Sequence, residues 1–198
     1  HNTNSKKTFA YANKNQLINF LDLDLEFEIL NDDIDSLALN GPRATWNFYP
    51  NYQEYVNMMQ AFEDSFPSIC KLHNLGTLNS GHKILALQIS DNVGQKENEP
   101  SFLYTSSMHG NELAGYVLSL RLINYILDNY GNNQRITNLV NEIDIWINPL
   151  ANPDGAYAGG NQNVNFATRY NANWVDLNRN YPDPQDGPHP DGNPYQEE

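Results

Sequence analysis

Hydrophobic residues along this chain recur with a period that changes from segment to segment. Between residues 52 and 62, Tyr55, Met58, Met59 and Phe62 fall three and four apart. That spacing predicts one face of an α-helix, and Pro67 lies just past its end. Residues 70–75 and 83–89 read as strands, with Asn79-Ser80-Gly81 between them as a turn signal. Residues 101–106 carry the apolar run Phe102-Leu103-Tyr104 and predict a third strand. Residues 112–129 predict a helix that is apolar nearly all round, so neighbours should cover most of it. A short helix over 134–141 and a strand over 143–147 follow, and residues 159–168 read as loop. Hairpin-like strands followed by strand-helix-strand units predict an α/β fold, with a mixed sheet between helices.

The first forty residues stand apart. Residues 8–12 predict a strand, and Asn13-x-x-Gln16 is a capping-box pattern before Leu17, Ile18, Phe20 and Leu21. Residues 25–29 alternate like a half-buried strand. A strand-helix-strand unit of this size cannot bury a core by itself. Residues 1–40 are therefore expected to be an appendage to residues 41–198, with the boundary in residues 38–45.

Composition narrows the partners. Hydrophobic residues make up 39% of the chain, enough for a core, and the formal net charge is −13. That charge argues against nucleic acid and anionic membranes as partners. Apolar runs all fall short of the roughly 18 residues a membrane span needs. The single cysteine, Cys70, leaves no intrachain disulfide and says little about compartment.

His109-Gly-Asn-Glu112 carries the candidate chemistry. It lies where the third strand is expected to break, at Gly110, into the long helix. Open α/β sheets place their ligands at the carboxyl ends of strands. Imidazole and carboxylate are both good zinc ligands, and three protein ligands plus a water make an open hydrolytic site. The same pair would also suit an ordinary loop histidine and a glutamate favoured by a helix dipole.

A second constellation weighs on the first. Residues 169–183 read Arg-Tyr-Asn-Ala-Asn-Trp-Val-Asp-Leu-Asn-Arg-Asn-Tyr-Pro-Asp, and Asn148-Pro149 and Asn152-Pro153-Asp154-Gly155 lie between them and the His-x-x-Glu. In this order, over roughly residues 44–198, the chain resembles the zinc metallocarboxypeptidases, in particular their regulatory branch. The resemblance implies an α/β/α fold around a mixed sheet, one catalytic Zn2+ and peptide or protein C-termini as substrates. It implies His109 and Glu112 as zinc ligands and Arg169 as the group facing the oxyanion. It implies Asn178 and Arg179 as holders of the substrate's terminal carboxylate, so all of these side chains should share one cleft. If Asn178 and Arg179 reach the same carboxylate, that stretch cannot be regular strand, because adjacent strand residues point to opposite faces. Secretion, or a periplasmic or cell-surface location, is the expected setting.

The family pattern also asks for parts this chain lacks. Its third zinc ligand, a histidine, and its general-base glutamate lie well beyond the Asn-Arg pair, whereas only residues 180–198 follow Arg179 here. His189 sits among prolines and glycines and reads as a solvated loop residue. His73 and His82 read as structural. The chain is expected to be the N-terminal part of a longer enzyme, with Tyr195–Glu198 as the start of a helix. Residues 1–40 loosely resemble the second half of a carboxypeptidase prosegment. Two other readings stay open: an amidase or deacylase on the same scaffold, and a binding protein without catalysis.

Overall fold

Asn51 starts the first helix, α1 (Tyr52–Ser65). Its side-chain oxygen accepts the Glu54 N–H, and the Glu54 carboxylate accepts the Asn51 N–H, a reciprocal cap. The helix turns Tyr55, Met59 and Phe62 into the core. The computed structural model describes residue 46 and residues 48–198. The elements expected at 8–12, 13–21 and 25–29, and the boundary at 38–45, lie outside the described residues.

Strands β1 (Cys70–Thr77) and β2 (Lys83–Ile89) form the predicted hairpin. Gly81 adopts φ +89° in its turn, a conformation open to glycine. Six consecutive residues of β2, Ile84–Ile89, are buried, so both of its faces are covered. Leu85, Leu87 and Ile89 belong to the main core beneath the helices. On β1 and β2, His73 and Gln88 pair at 3.2 Å, and the His73 ring packs 4.6 Å from that of Trp146. Cys70 is buried, and burial pushes its thiol up to about 12, so it acts as a packing residue and not a nucleophile.

Strand β3 (Ser101–Thr105) leads through helices α2 (Ala114–Asn129) and α3 (Gln134–Glu142) to β4 (Asp144–Asn148). Such a crossover lets β4 pair parallel to β3 and antiparallel to β2. The sheet order is β1-β2-β4-β3, a mixed sheet flanked by helices, as expected. Among the described residues no helix is long and apolar enough to cross a membrane.

Several expectations need correction. Helix α2 starts at Ala114, not 112: the Glu112 N–H bonds the His109 carbonyl at 3.0 Å, so Glu112 sits in a tight turn before the helix. Ala114, Leu118, Arg121 and Tyr125, at helical spacing, leave one stripe of α2 exposed. Among the described residues strand β3 is an edge strand, and Phe102, Leu103 and Tyr104 are all exposed. The described residues cover neither face of its apolar run. Tyr195–Glu198 is not helical: the Gln196 N–H is held by the Asn180 side-chain oxygen. A one-turn helix, α4 (Pro153–Ala156), was not expected at all.

Candidate functional site

The site grows from the parallel ends of β3 and β4. Thr105 faces Asn148 in register, and its hydroxyl donates to the Asn148 side-chain oxygen at 2.8 Å. The loops leaving these two strands are then laced together. Ser106 and Ser107 carbonyls accept the N–H groups of Ala151 and Asn152, and the Asn152 side chain donates to the Met108 carbonyl. Asn152 is fully buried, and its oxygen also accepts the Gly155 N–H at 2.7 Å. Ser107, at φ +55°, turns the chain, and its hydroxyl donates to the Glu112 carbonyl at 2.8 Å. His109 and Glu112 are thus carried on a turn braced by the Asn152–Gly155 loop.

Gly110 is the tightest point of that brace. A Cβ placed there would lie 2.2 Å from the Gly155 carbonyl carbon. Backbone cannot yield as a flexible side chain can. Gly110→Ala is expected to destabilise the protein by at least about 3 kcal/mol. Thermal melts should show it as a loss of roughly 6–12 °C. A melt within 2 °C of wild type, on that roughly 2–4 °C per kcal/mol scale, would show that the two loops do not pack this closely.

The 155 loop also brings in the distant segment. The Gly155 carbonyl accepts the Thr168 N–H at 2.8 Å, which sets Arg169 beside His109. Arg169 Nη1 lies 3.2 Å from His109 Nδ1 and 3.8 Å from Glu112 Oε1, while Nε donates to Asp176 Oδ2 at 2.8 Å. His109 Nδ1 is 3.0 Å from Glu112 Oε1, and Nε2 is 3.1 Å from Asp176 Oδ1. So His109, Glu112 and Arg169 come together as expected, and Asp176 joins them.

Asp176 is the residue the sequence reading passed over. Burial alone would raise its carboxyl, but hydrogen bonds from Arg169, His109 and the Asn178 N–H, with the Arg169 charge, outweigh that and hold it below the usual carboxylate range. Ionised Asp176 only accepts, so Nε2 of His109 carries the ring proton in the neutral tautomer. Nδ1 then presents its lone pair toward Glu112 Oε1. Both atoms also lie beside the Arg169 guanidinium, 3.2 and 3.8 Å from its Nη1. An imidazole nitrogen and a carboxylate oxygen are both ordinary zinc ligands, and His109 and Glu112 would hold the ion between them. A carboxylate behind the ligating imidazole is the usual orienting partner and raises metal affinity about 10- to 100-fold. The donor set fits zinc.

Asn178 and Arg179 lie on a 3-10 turn, Leu177–Arg179, capped by the Asp176 side chain. The stretch is not strand. Both side chains are exposed. Arg179 bonds the Asn178 carbonyl and makes no ion pair among the described residues. It shares the Asp176 turn but does not touch His109. A cleft of about 760 Å³ opens beside Glu112, walled by residues 105–108 and 111–115 with Tyr49. Of the expected site residues only Glu112 lines it.

The other histidines behave as expected. His82 is buried against Asp154, Asn161 and the Tyr52 ring, and ties the β1–β2 turn to α4. His189 is exposed and stacks on Tyr195. Among the described residues, the one group of three acidic or histidine side chains close enough to share a metal ion is Asp91, Glu97 and Glu99, which does not include His109.

Comparison with known proteins bears on the same residues. The chain is 38% identical to mouse (Mus musculus) carboxypeptidase D over 127 residues, which is 63% of this chain and 9% of that protein. It is 38% identical to the rat (Rattus norvegicus) carboxypeptidase N catalytic chain over 138 residues, 67% of this chain and 30% of that one. The chain thus spans less than a third of these relatives. Its fold matches thrombin activatable fibrinolysis inhibitor with TM-score 0.60 at 17% identity, over 74% of this chain and 40% of that one. It matches carboxypeptidase A of Helicoverpa armigera with TM-score 0.58 at 24% identity, over 83% and 41%. The model of the zinc carboxypeptidases matches residues 55–198, which contain the whole His109–Glu112–Arg169–Asp176 cluster, and the chain belongs to that family.

Proposed function

We propose that this chain is the N-terminal portion of a zinc-dependent exopeptidase that releases residues from peptide or protein C-termini. The observation that carries the reading is the cluster of His109, Glu112 and Arg169 around ionised Asp176. His109 and Glu112 would hold the metal, and Asp176 would fix the ring. When bound, zinc supplies a Lewis acid for the scissile carbonyl and for water at neutral pH. Arg169 places a fixed cation where negative charge develops, which stabilises the transition state more than the ground state. Asn178 and Arg179 would take the substrate's terminal carboxylate, which a guanidinium fork matches in a bidentate way. That pair speaks against the amidase or deacylase reading, since acyl-only substrates have no free carboxylate there.

The third ligand and the general base would come from chain beyond residue 198. Two observations support this: no further metal-ligating group joins His109 and Glu112 among the described residues beyond Asp176, and β3 presents an unpaired apolar edge where a sheet can continue. Residues 1–40 are proposed as the prosegment-like remnant, and export as the setting. Zinc analysis after dialysis tests the reading. The 198-residue chain should retain well under one zinc and release no amino acid. The chain extended to the length of its relatives should retain one and release C-terminal residues until a chelator is added. Stoichiometric zinc on the short chain would sink the incomplete-site reading, and chelator-resistant release would sink the zinc reading.

A further inference from the structure

Trp174 holds a backbone conformation that suits glycine. Its φ is +59°, in the left-handed region where a bulky side chain crowds its own backbone. Its indole is 75% exposed, so little packing offsets that strain. Strain of this kind persists only where the surroundings enforce it, and it gathers at functional sites. The enforcing residue is Asn171, which is buried. The Asn171 side-chain oxygen accepts the N–H groups of Asn173 and Val175, both at 3.0 Å. Its backbone bonds Trp174 and Val175, each at 3.1 Å.

The base of this loop is the candidate site. Arg169 and Asp176 close it through their ion pair, and both touch His109. Trp174 is two residues from Asp176, so their Cα atoms lie within about 7 Å. Tyr170 follows Arg169 directly. Its ring centre is 6.0 Å from that of Trp174, with the planes tilted by 45°. Two uncharged aromatic faces therefore stand on the loop that the Arg169–Asp176 ion pair closes.

We propose that Tyr170 and Trp174 form a platform for peptide residues on the amino side of the scissile bond, selecting aromatic or long aliphatic side chains. This rests on the exopeptidase reading. An enzyme that removes one residue encloses only that residue on the carboxyl side. All other residues of the peptide must leave across the surface beside the site, where the exposed Tyr170 and Trp174 would meet them. Aromatic faces bind such side chains at small entropic cost, because the rings have few rotatable bonds.

The test is Trp174→Gly in the zinc-loaded, full-length chain. Glycine relieves the left-handed strain, so Tm should rise by about 2–4 °C. For peptides with Phe two and three residues upstream of the scissile bond, kcat/KM relative to a blocked dipeptide should fall about tenfold, through KM. Trp174→Phe should restore most of that preference. A lower Tm in Trp174→Gly, or an unchanged ratio, would overturn the proposal. So would a tryptophan emission in the full-length protein that shows Trp174 shielded from acrylamide. If the wild-type protein releases no C-terminal residue, the exopeptidase reading fails separately. The platform is then judged by binding: the Phe-bearing peptide should change the emission of wild type but not of Trp174→Gly, and no change in wild type overturns it.

Discussion

Replacing Arg169 with alanine in the zinc-loaded, full-length chain is expected to lower kcat about 100- to 1000-fold, the usual cost of losing an oxyanion donor. KM should move little. Charge appears on the carbonyl oxygen only as water attacks, so the lost interaction belongs to the transition state. Arg169 also pairs with Asp176 and lies beside His109. Part of the loss could therefore come through the metal. Two controls separate the effects. Asp176→Asn keeps the guanidinium but weakens the brace on His109, so it should lower zinc affinity about 10- to 100-fold. Arg169→Ala should keep its zinc and lose turnover. Steady-state kinetics with zinc analysis on the same samples reads both. An Arg169→Ala enzyme whose kcat falls less than about tenfold, against the 100-fold or more usual for such a donor, does not use this residue at the oxyanion.

Amidation of the substrate's C-terminus should remove most activity of the wild-type enzyme and change little in Arg179→Ala. The exposed Arg179 has no ion-pair partner among the described residues, so its fork is open to a carboxylate. A hydrogen-bonded charge contact contributes about 1.5–3 kcal/mol, so losing it should cost roughly 10- to 150-fold in kcat/KM. The contact exists in both ground and transition states, so KM should rise as well as kcat fall. Arg179→Lys should recover only part, because an ammonium is a point charge and cannot match the carboxylate with two parallel bonds. A double-mutant comparison, free against amidated peptide with the wild-type against the Arg179→Ala enzyme, isolates the pair. If wild type cuts both peptides equally well, the carboxypeptidase reading gives way to the amidase one.

Much of the frame could be read without coordinates. Helix α1, the β1–β2 hairpin and α3 follow from local periodicity, caps and turn residues, which act over three to five positions. Asn51 and Gly81 each do their work within such a span. His109 and Glu112 were legible as a pair because only two residues separate them, and Arg169, Asn178 and Arg179 through their ordered motif.

Tertiary structure decided the rest. Asp176 reaches His109 across 67 positions of sequence, and no spacing rule connects them. Gly110 and Gly155 matter because two loops from neighbouring parallel strands meet there, a contact that exists only once β3 and β4 are in register. Cover for the apolar run of β3 depends on what lies beside the strand, and among the described residues β3 lies at the sheet edge. Glu112 fell outside α2 because Ser107 and the His109 carbonyl hold the preceding turn. Trp174 reads as an ordinary aromatic until its left-handed backbone is seen. By itself the sequence determined which local elements form and which residue types could do zinc chemistry. Only the fold decided which of them meet, because meeting depends on loop closure and strand register, and neither is written in local spacing.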